Sequence, residues 1–439
     1  MTPIDPSTLP GLSAPFWFVQ LFKILGFVLH CIPMSLWFVG LPMALFLYMV
    51  GRRNARRYAG RLISQMPIIM AIGINFGIVP LLFVQAAYYK AFYTSTILMA
   101  VHWFFVLVLV GIAYYAIYGC AASLNQSRTR RLMICGLVAV FCLTGCSLIF
   151  TSQWTFMALP DAWLEVFAKK SVAGAATGLG TWWRDPVVYL RWCSMIGLGF
   201  TTLAFWTLFD SWVLCRARSF VSESDSAGGS SKKKSSGSTA AGGTKLSKKD
   251  KRRLKQTGGK SDDSDQAGDD SEEIESEIEE SVDSIENYRR WALTLGTCFS
   301  WFGLLLAGGS LWFYYYRCIK PTCPDLDYLF TTSWKYLPIG TICSFALLPV
   351  LMTLGKWEKI RGVLLVLLVT VSELAVLAAY ATTRQFIQNG QLASWLNVAA
   401  IPENVEWSPL YVFLGVFAFT LLVILWMIRQ MVIAGRVKS

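Results

Sequence analysis

Apolar residues run through the chain in long unbroken blocks. Nine blocks are long enough to cross roughly 30 Å of hydrocarbon as helices: 18–50, 66–89, 95–118, 131–151, 189–214, 290–316, 336–354, 360–382 and 409–433. None shows the short apolar–polar alternation of a barrel strand. The pattern predicts an all-α polytopic membrane protein with nine transmembrane helices. The first block is over-long, so it is expected to tilt or to begin as an interfacial segment. Lys23 near its start is then expected to snorkel toward the headgroups.

Composition agrees with that class. Of 439 residues, 55% are hydrophobic and only 15% charged, against about 25% in a soluble domain. A soluble globular chain and a disordered chain are both excluded. Orientation follows the placement of Lys and Arg. The loop GRRNARRYAGR follows the first helix, Arg128, Arg130 and Arg131 follow the third, GKWEKIR follows the seventh, and the tail ends GRVKS. The alternate loops hold little more than Lys90 and Arg384, with Lys169 and Lys170 in a longer segment. The expected topology is N-terminus outside and C-terminus inside. No basic stretch or small-residue cleavage site precedes the first block, so no cleavable signal peptide is expected.

Two segments break the pattern and set the domain reading. Residues 219–287 are rich in Ser, Gly and Lys, then in Asp and Glu, with no aromatic between Phe220 and Tyr288. Such a stretch cannot bury enough apolar surface to fold, so a disordered charged cytoplasmic linker is expected. Within it, EEIESEIEESVDSIE could extend the sixth helix as an acidic helix. Its basic half could meet anionic lipid; a nucleic-acid role is not expected, since no aromatic interleaves the charges. The linker separates helices one to five (1–218) from helices six to nine (288–439). The second segment, 152–188, places Phe156, Trp163, Leu164 and Phe167 at helical spacing, then Trp182 and Trp183 after a Gly-rich turn. An outer interfacial helix is expected there, either a plain connector or a roof over a lipid-soluble ligand such as a quinone.

Ionisable groups at membrane depth are costly and are functional candidates by default. Three stand out: His30, His102 and Glu373, with Asp210 and Asn75 as lesser candidates. His30 and His102, the only two histidines, lie seven residues past Lys23 and Ser95, the points from which their helices are expected to run inward, and so each roughly 10 Å deep. Matching depth suits two imidazoles on the iron of one b-type haem, with Trp103, Phe104 and Phe105 as part of an apolar pocket. Two unrelated core histidines fit the same pattern. Glu373 reads as a proton-carrying acid, a haem ligand or a buried neutral carboxylic acid. No Cys-x-x-Cys-His occurs, so no covalently attached haem is expected. Cys318 and Cys323 form either a disulfide or two free thiols.

The order of features resembles subunit I of cytochrome bd-type quinol oxidases. The likeness rests on His30, then GINF at 73–76, LMA at 98–100, QWTFMALP at 153–160 and RDPVVYLRW at 184–192. It covers about half of the chain. It implies the nine-helix fold with an outer N-terminus, and His30 as a haem ligand. The sequence departs from the family pattern elsewhere. A further ligating histidine would fall at Cys193 or Ser194, and acidic residues of the third helix near Thr96 and Phe104. Neither a methionine ligand nor an outer quinol loop is matched. A complete oxygen reductase is therefore not expected.

The expected function is an integral subunit of a bacterial inner-membrane respiratory complex. It would bind one haem b, with quinone as a further ligand, and pass electrons to or from external c-type cytochromes alongside other membrane and periplasmic redox subunits. A cofactor-free anchor or scaffold is the alternative, and a transporter with Glu373 as coupling acid is a third reading.

Overall fold

The computed structural model describes residues 2–215, 264–319, 336–357, 360 and 362–437. Long apolar runs with few breakers become long helices because, in lipid, each backbone N–H and C=O must be satisfied within its own segment. They are α1 (Phe16–Val50) and α2 (Arg53–Ala87), then the short α3 (Tyr89–Leu98) and α4 (Ala100–Asn125). Next come α5 (Thr129–Met157) and α6 (Pro160–Lys170), and α7 (Pro186–Leu214). The last four are α8 (Ser264–Tyr314), α9 (Tyr336–Lys356), α10 (Gly362–Ala393) and α11 (Trp407–Val437). The protein is a helical membrane protein. Eight helices among the described residues are long and apolar enough to cross a bilayer, and α9 carries a further apolar stretch, Ser344–Lys356.

The helix α8 begins at Ser264, inside the segment expected as linker, and takes the acidic stretch into its first half. Residues 216–263, Cys323 and the side chain of Cys318 lie outside the described residues, and with them the disulfide question.

Helices α1, α7 and α10 are mutual neighbours at the centre. The helix α2 packs along α1, α4 on α5, α8 along α7, and α9 against α8 and α10. The last helix, α11, is largely exposed, with Tyr411, Phe419 and Trp426 facing outward. The α7–α8 crossing is close because small residues meet there. Gly197 lies on the backbone of Ala307, and a Cβ on Gly303 would come 2.7 Å from the Gly197 carbonyl oxygen.

The bundle packs in layers. At the end where α1 starts, Phe18, Phe22, Phe83, Tyr88, Trp163 and Trp395 form one core. At the other end Tyr58, Leu62, Met66, Leu208, Tyr288 and Met352 form another. Between them, Phe27, Cys31, Leu198, Val376 and Tyr380 join α1, α7 and α10. The start of α1 is fixed by the segment before α11: Leu12 N–H donates to Pro402 O at 2.8 Å, and Phe16 N–H to the Glu403 carboxylate at 2.9 Å. That carboxylate supplies the N-terminal cap that Pro15 cannot.

In segment 152–188, α6 is the expected helix, but its aromatic residues do not share one face. Phe156 belongs to the end of α5. Trp163 is buried, donating to Phe156 O at 2.8 Å and meeting Trp395 edge-on at 4.9 Å, whereas Leu164 and Phe167 are exposed. A hairpin, Ser171–Val172 with Ala175–Ala176, follows, and Asp185 caps α7 through Val187 N–H at 2.9 Å.

Candidate functional site

His30 lies fourteen residues into α1, roughly 21 Å along it. Its Nδ1 is 2.8 Å from Gly73 O on α2. A carbonyl only accepts, so Nδ1 carries the proton and Nε2 is left as the free base. Gly77, one turn on, makes room for the ring: a Cβ there would come 2.9 Å from His30 Cε1. Gly73 likewise opens space for Trp37, whose ring stands edge-on to His30 at 5.9 Å. The GINF stretch thus seats an imidazole in one tautomer. Asn75, between the two glycines, points outward and only bonds back to Ala71 O at 2.8 Å.

His102 is in the first turn of α4. Its ring stands edge-on to Trp183 at 6.2 Å, and its Nδ1 has no hydrogen-bond partner. The structure therefore gives the two histidines separate surroundings, His30 against α2 and His102 against the outer segment. The helix α1 starts at Phe16, not near Lys23, and α4 starts at Ala100, not at Ser95. The equal seven-residue offsets do not survive those boundaries. Of the expected pocket aromatics, Trp103 packs inward on Phe150 at 5.1 Å, while Phe104 and Phe105 face out.

Glu373 is buried in α10 at the α7 interface. Thr202 Oγ1 donates to its Oε1 at 2.6 Å and Thr201 Oγ1 lies 3.4 Å away. Its Oε2 has no partner, nor has the neighbouring Ser372 hydroxyl. No cation contacts Glu373 among the described residues. An unpaired carboxylate there would be very costly, so the arrangement suits a neutral acid able to hold or release one proton.

A polar cluster at the α1-start end was not anticipated from sequence. Lys23 is 2% exposed rather than snorkelling: its Nζ lies 3.7 Å from the Tyr88 ring centroid and donates to Gln388 Oε1 at 3.3 Å. Tyr88 O–H accepts from Gln20 and Gln385 at 2.8 and 2.9 Å and donates to Asn389 at 2.6 Å. Arg384, expected in a loop, is inside α10, with its guanidinium 3.9 Å from the Phe27 ring centroid. Arg191 of α7 donates to Trp154 O at 3.4 Å and Thr155 Oγ1 at 3.3 Å. Arg191, Ser194, Tyr314, Tyr380, Arg384 and Gln388 line a small cavity of ≈ 30 Å³, and Lys23 reaches it only through Gln388.

Asp210 forms a third polar centre, at the opposite end. Arg61 forks onto its two oxygens at 3.0–3.2 Å and Tyr288 O–H donates to Oδ2 at 2.8 Å. Each partner is supplied by a different helix, so this is a staple of α2, α7 and α8. Among the described residues no group of three or more His, Cys, Asp or Glu could hold a metal ion. For a haem, the donor set fits at one position. His30 offers a free Nε2 with its other nitrogen bonded to a backbone carbonyl, as ligating imidazoles commonly are.

No protein-family model matches the sequence, and no curated relative does. Among solved structures the chain is similar to one of the bd oxidase from Geobacillus thermodenitrificans. The TM-score is 0.53 and the identity 11%, covering 98% of this chain and 100% of the other. The fold is thus bd-oxidase-like over nearly the whole length, beyond the half in which the motifs lie.

Proposed function

We propose that this protein is a membrane subunit of a bacterial inner-membrane respiratory electron-transfer complex, with one b-type haem held at His30. The observation that carries the reading is the full-length likeness in fold to a bd oxidase chain, joined to the His30–Gly73 bond at the GINF stretch. A bound haem supplies one-electron storage. The chain's own residues do the rest. Gly73 O fixes the imidazole tautomer, Gly77 and Trp37 fix its rotation, and Glu373 holds a proton at its unpartnered oxygen. His30 would hold the haem iron; His102 stands against Trp183 of the outer segment and is given no part in that reading. Partners implied are the quinone pool, other membrane and periplasmic redox subunits, c-type cytochromes among them, and lipid.

A cofactor-free scaffold is the second reading, favoured by the separation of the only two histidines. Haem content decides. Pyridine haemochrome analysis of the purified full-length protein is expected to give about one b-type haem per chain. A haem-free protein that remains folded in the membrane establishes the scaffold instead.

A further inference from the structure

Three cations meet at the α1-start end of the bundle: Lys23, Arg191 and Arg384. None has a carboxylate partner among the described residues. Glu373, on the same helix as Arg384, is eleven residues away, roughly 16 Å. The neutral contacts on Phe27, Tyr88 and Gln388 orient these cations without cancelling their charge. Charges at such positions normally pair or coordinate an ion. The two guanidinium groups and the Gln388 amide converge on the ≈ 30 Å³ cavity, a volume of about two waters that an oxyanion head would fill only by spreading the lining side chains. Planar guanidinium forks match two oxygens of one oxyanion.

We propose that this cavity binds the oxyanion head of a phosphate-bearing ligand, which supplies the counter-charge that no described carboxylate provides and ties α7, α8 and α10 together. The chemistry is shared by free phosphate and by a phospholipid headgroup. Arg384 stacks on Phe27, one turn from His30, so haem content is measured in every sample and the rise in Tm must also appear in haem-free protein, which keeps this site's failure separable from that of the electron-transfer reading.

The test uses the full-length protein, purified in detergent and delipidated, with thermal unfolding as readout. Inorganic phosphate is titrated in one arm and mixed micelles containing phosphatidylglycerol in the other. A saturable rise in Tm is expected in at least one arm. A rise with phosphate identifies a free anion; a rise with phosphatidylglycerol alone identifies a headgroup. The double variant Arg191→Gln/Arg384→Gln should weaken half-saturation by about tenfold or more, as expected for losing two charge-assisted contacts. Gln388→Glu places a carboxylate beside Lys23. It should raise Tm without ligand and abolish the ligand-dependent rise. Asp325 and Asp327 lie outside the described residues, and their Asn variants should leave binding unchanged. The proposal is overturned if neither probe raises Tm, if the rise persists undiminished in the double arginine variant, or if Gln388→Glu lowers Tm with the rise intact. It is equally overturned if binding appears only once Asp325 or Asp327 is removed.

Discussion

Glu373 and Thr202 form one buried polar pair within the bundle, on which packing and the proposed proton-holding role both rest. Oε1 is satisfied by the 2.6 Å hydroxyl, while Oε2 faces no donor or acceptor. Thr202→Val removes the short donor and leaves Oε1 with only the 3.4 Å Thr201 hydroxyl. The expected loss is about 1–3 kcal/mol of stability, seen as a lower unfolding midpoint. Glu373→Gln keeps the shape and an acceptor for Thr202, so stability should change little while any proton-coupled activity is lost. Unchanged activity in that variant would remove Glu373 from the mechanism. Glu373 and His30 were legible in the sequence because an ionisable group in an apolar run is conspicuous. Lys23, Arg191 and Arg384 were not legible as a group. Each sits near a predicted helix end, where a charge reads as a flank. Only the extension of α10 to Ala393 draws Arg384 inside, and only packing shows that Tyr88 and Gln388 hold Lys23 there.

Among the elements, the α2–α7–α8 junction is held by charge and the α7–α8 crossing by closeness. Asp210 is 1% exposed and Arg61 21% in side-chain terms, so removing the carboxylate strands a half-buried guanidinium. Asp210→Ala should destabilise by about 3 kcal/mol, near the low end for a broken buried pair because Arg61 still reaches solvent. Arg61→Met with Asp210→Leu should recover much of the loss. A double variant no better than Asp210→Ala alone would mean that the pair does more than neutralise itself. At the crossing, Gly303→Val must push the helices apart, since even a Cβ meets the Gly197 carbonyl at 2.7 Å. The variant should fall in detergent stability far more than Gly308→Val, where an added Cβ meets nothing within 4 Å. The existence of the helices was legible from apolar runs, but their ends and rotations were not. Helix boundaries drift by a few residues, and a shift of seven at the start of α1 was enough to undo the matched depths of His30 and His102. Rotation then turned Phe104 and Phe105 outward.

For the whole molecule, the arginine-rich loops after the first, third and seventh predicted helices argue for an inner C-terminus. A reporter inserted at residue 240 should read as cytoplasmic, and an external reading would reverse the proposed orientation. Replacing residues 225–263 by a short Gly/Ser segment should leave the membrane part folded, because their composition offers too little apolar surface to build a core. Loss of membrane insertion would show that the segment builds part of the bundle. Of the whole, the all-helical membrane class was legible from the long unbroken apolar runs. The bd-oxidase-like arrangement was legible only in motifs of the first half, while the likeness in fold extends through the second. The central claim is that this frame holds a haem at His30, and reduced-minus-oxidised difference spectra of wild type, His30→Ala and His102→Ala test it most directly. The account predicts a b-type α-band in wild type and in His102→Ala, and its loss in His30→Ala with the protein still folded in the membrane. A band that survives His30→Ala, or no band in wild type, contradicts it.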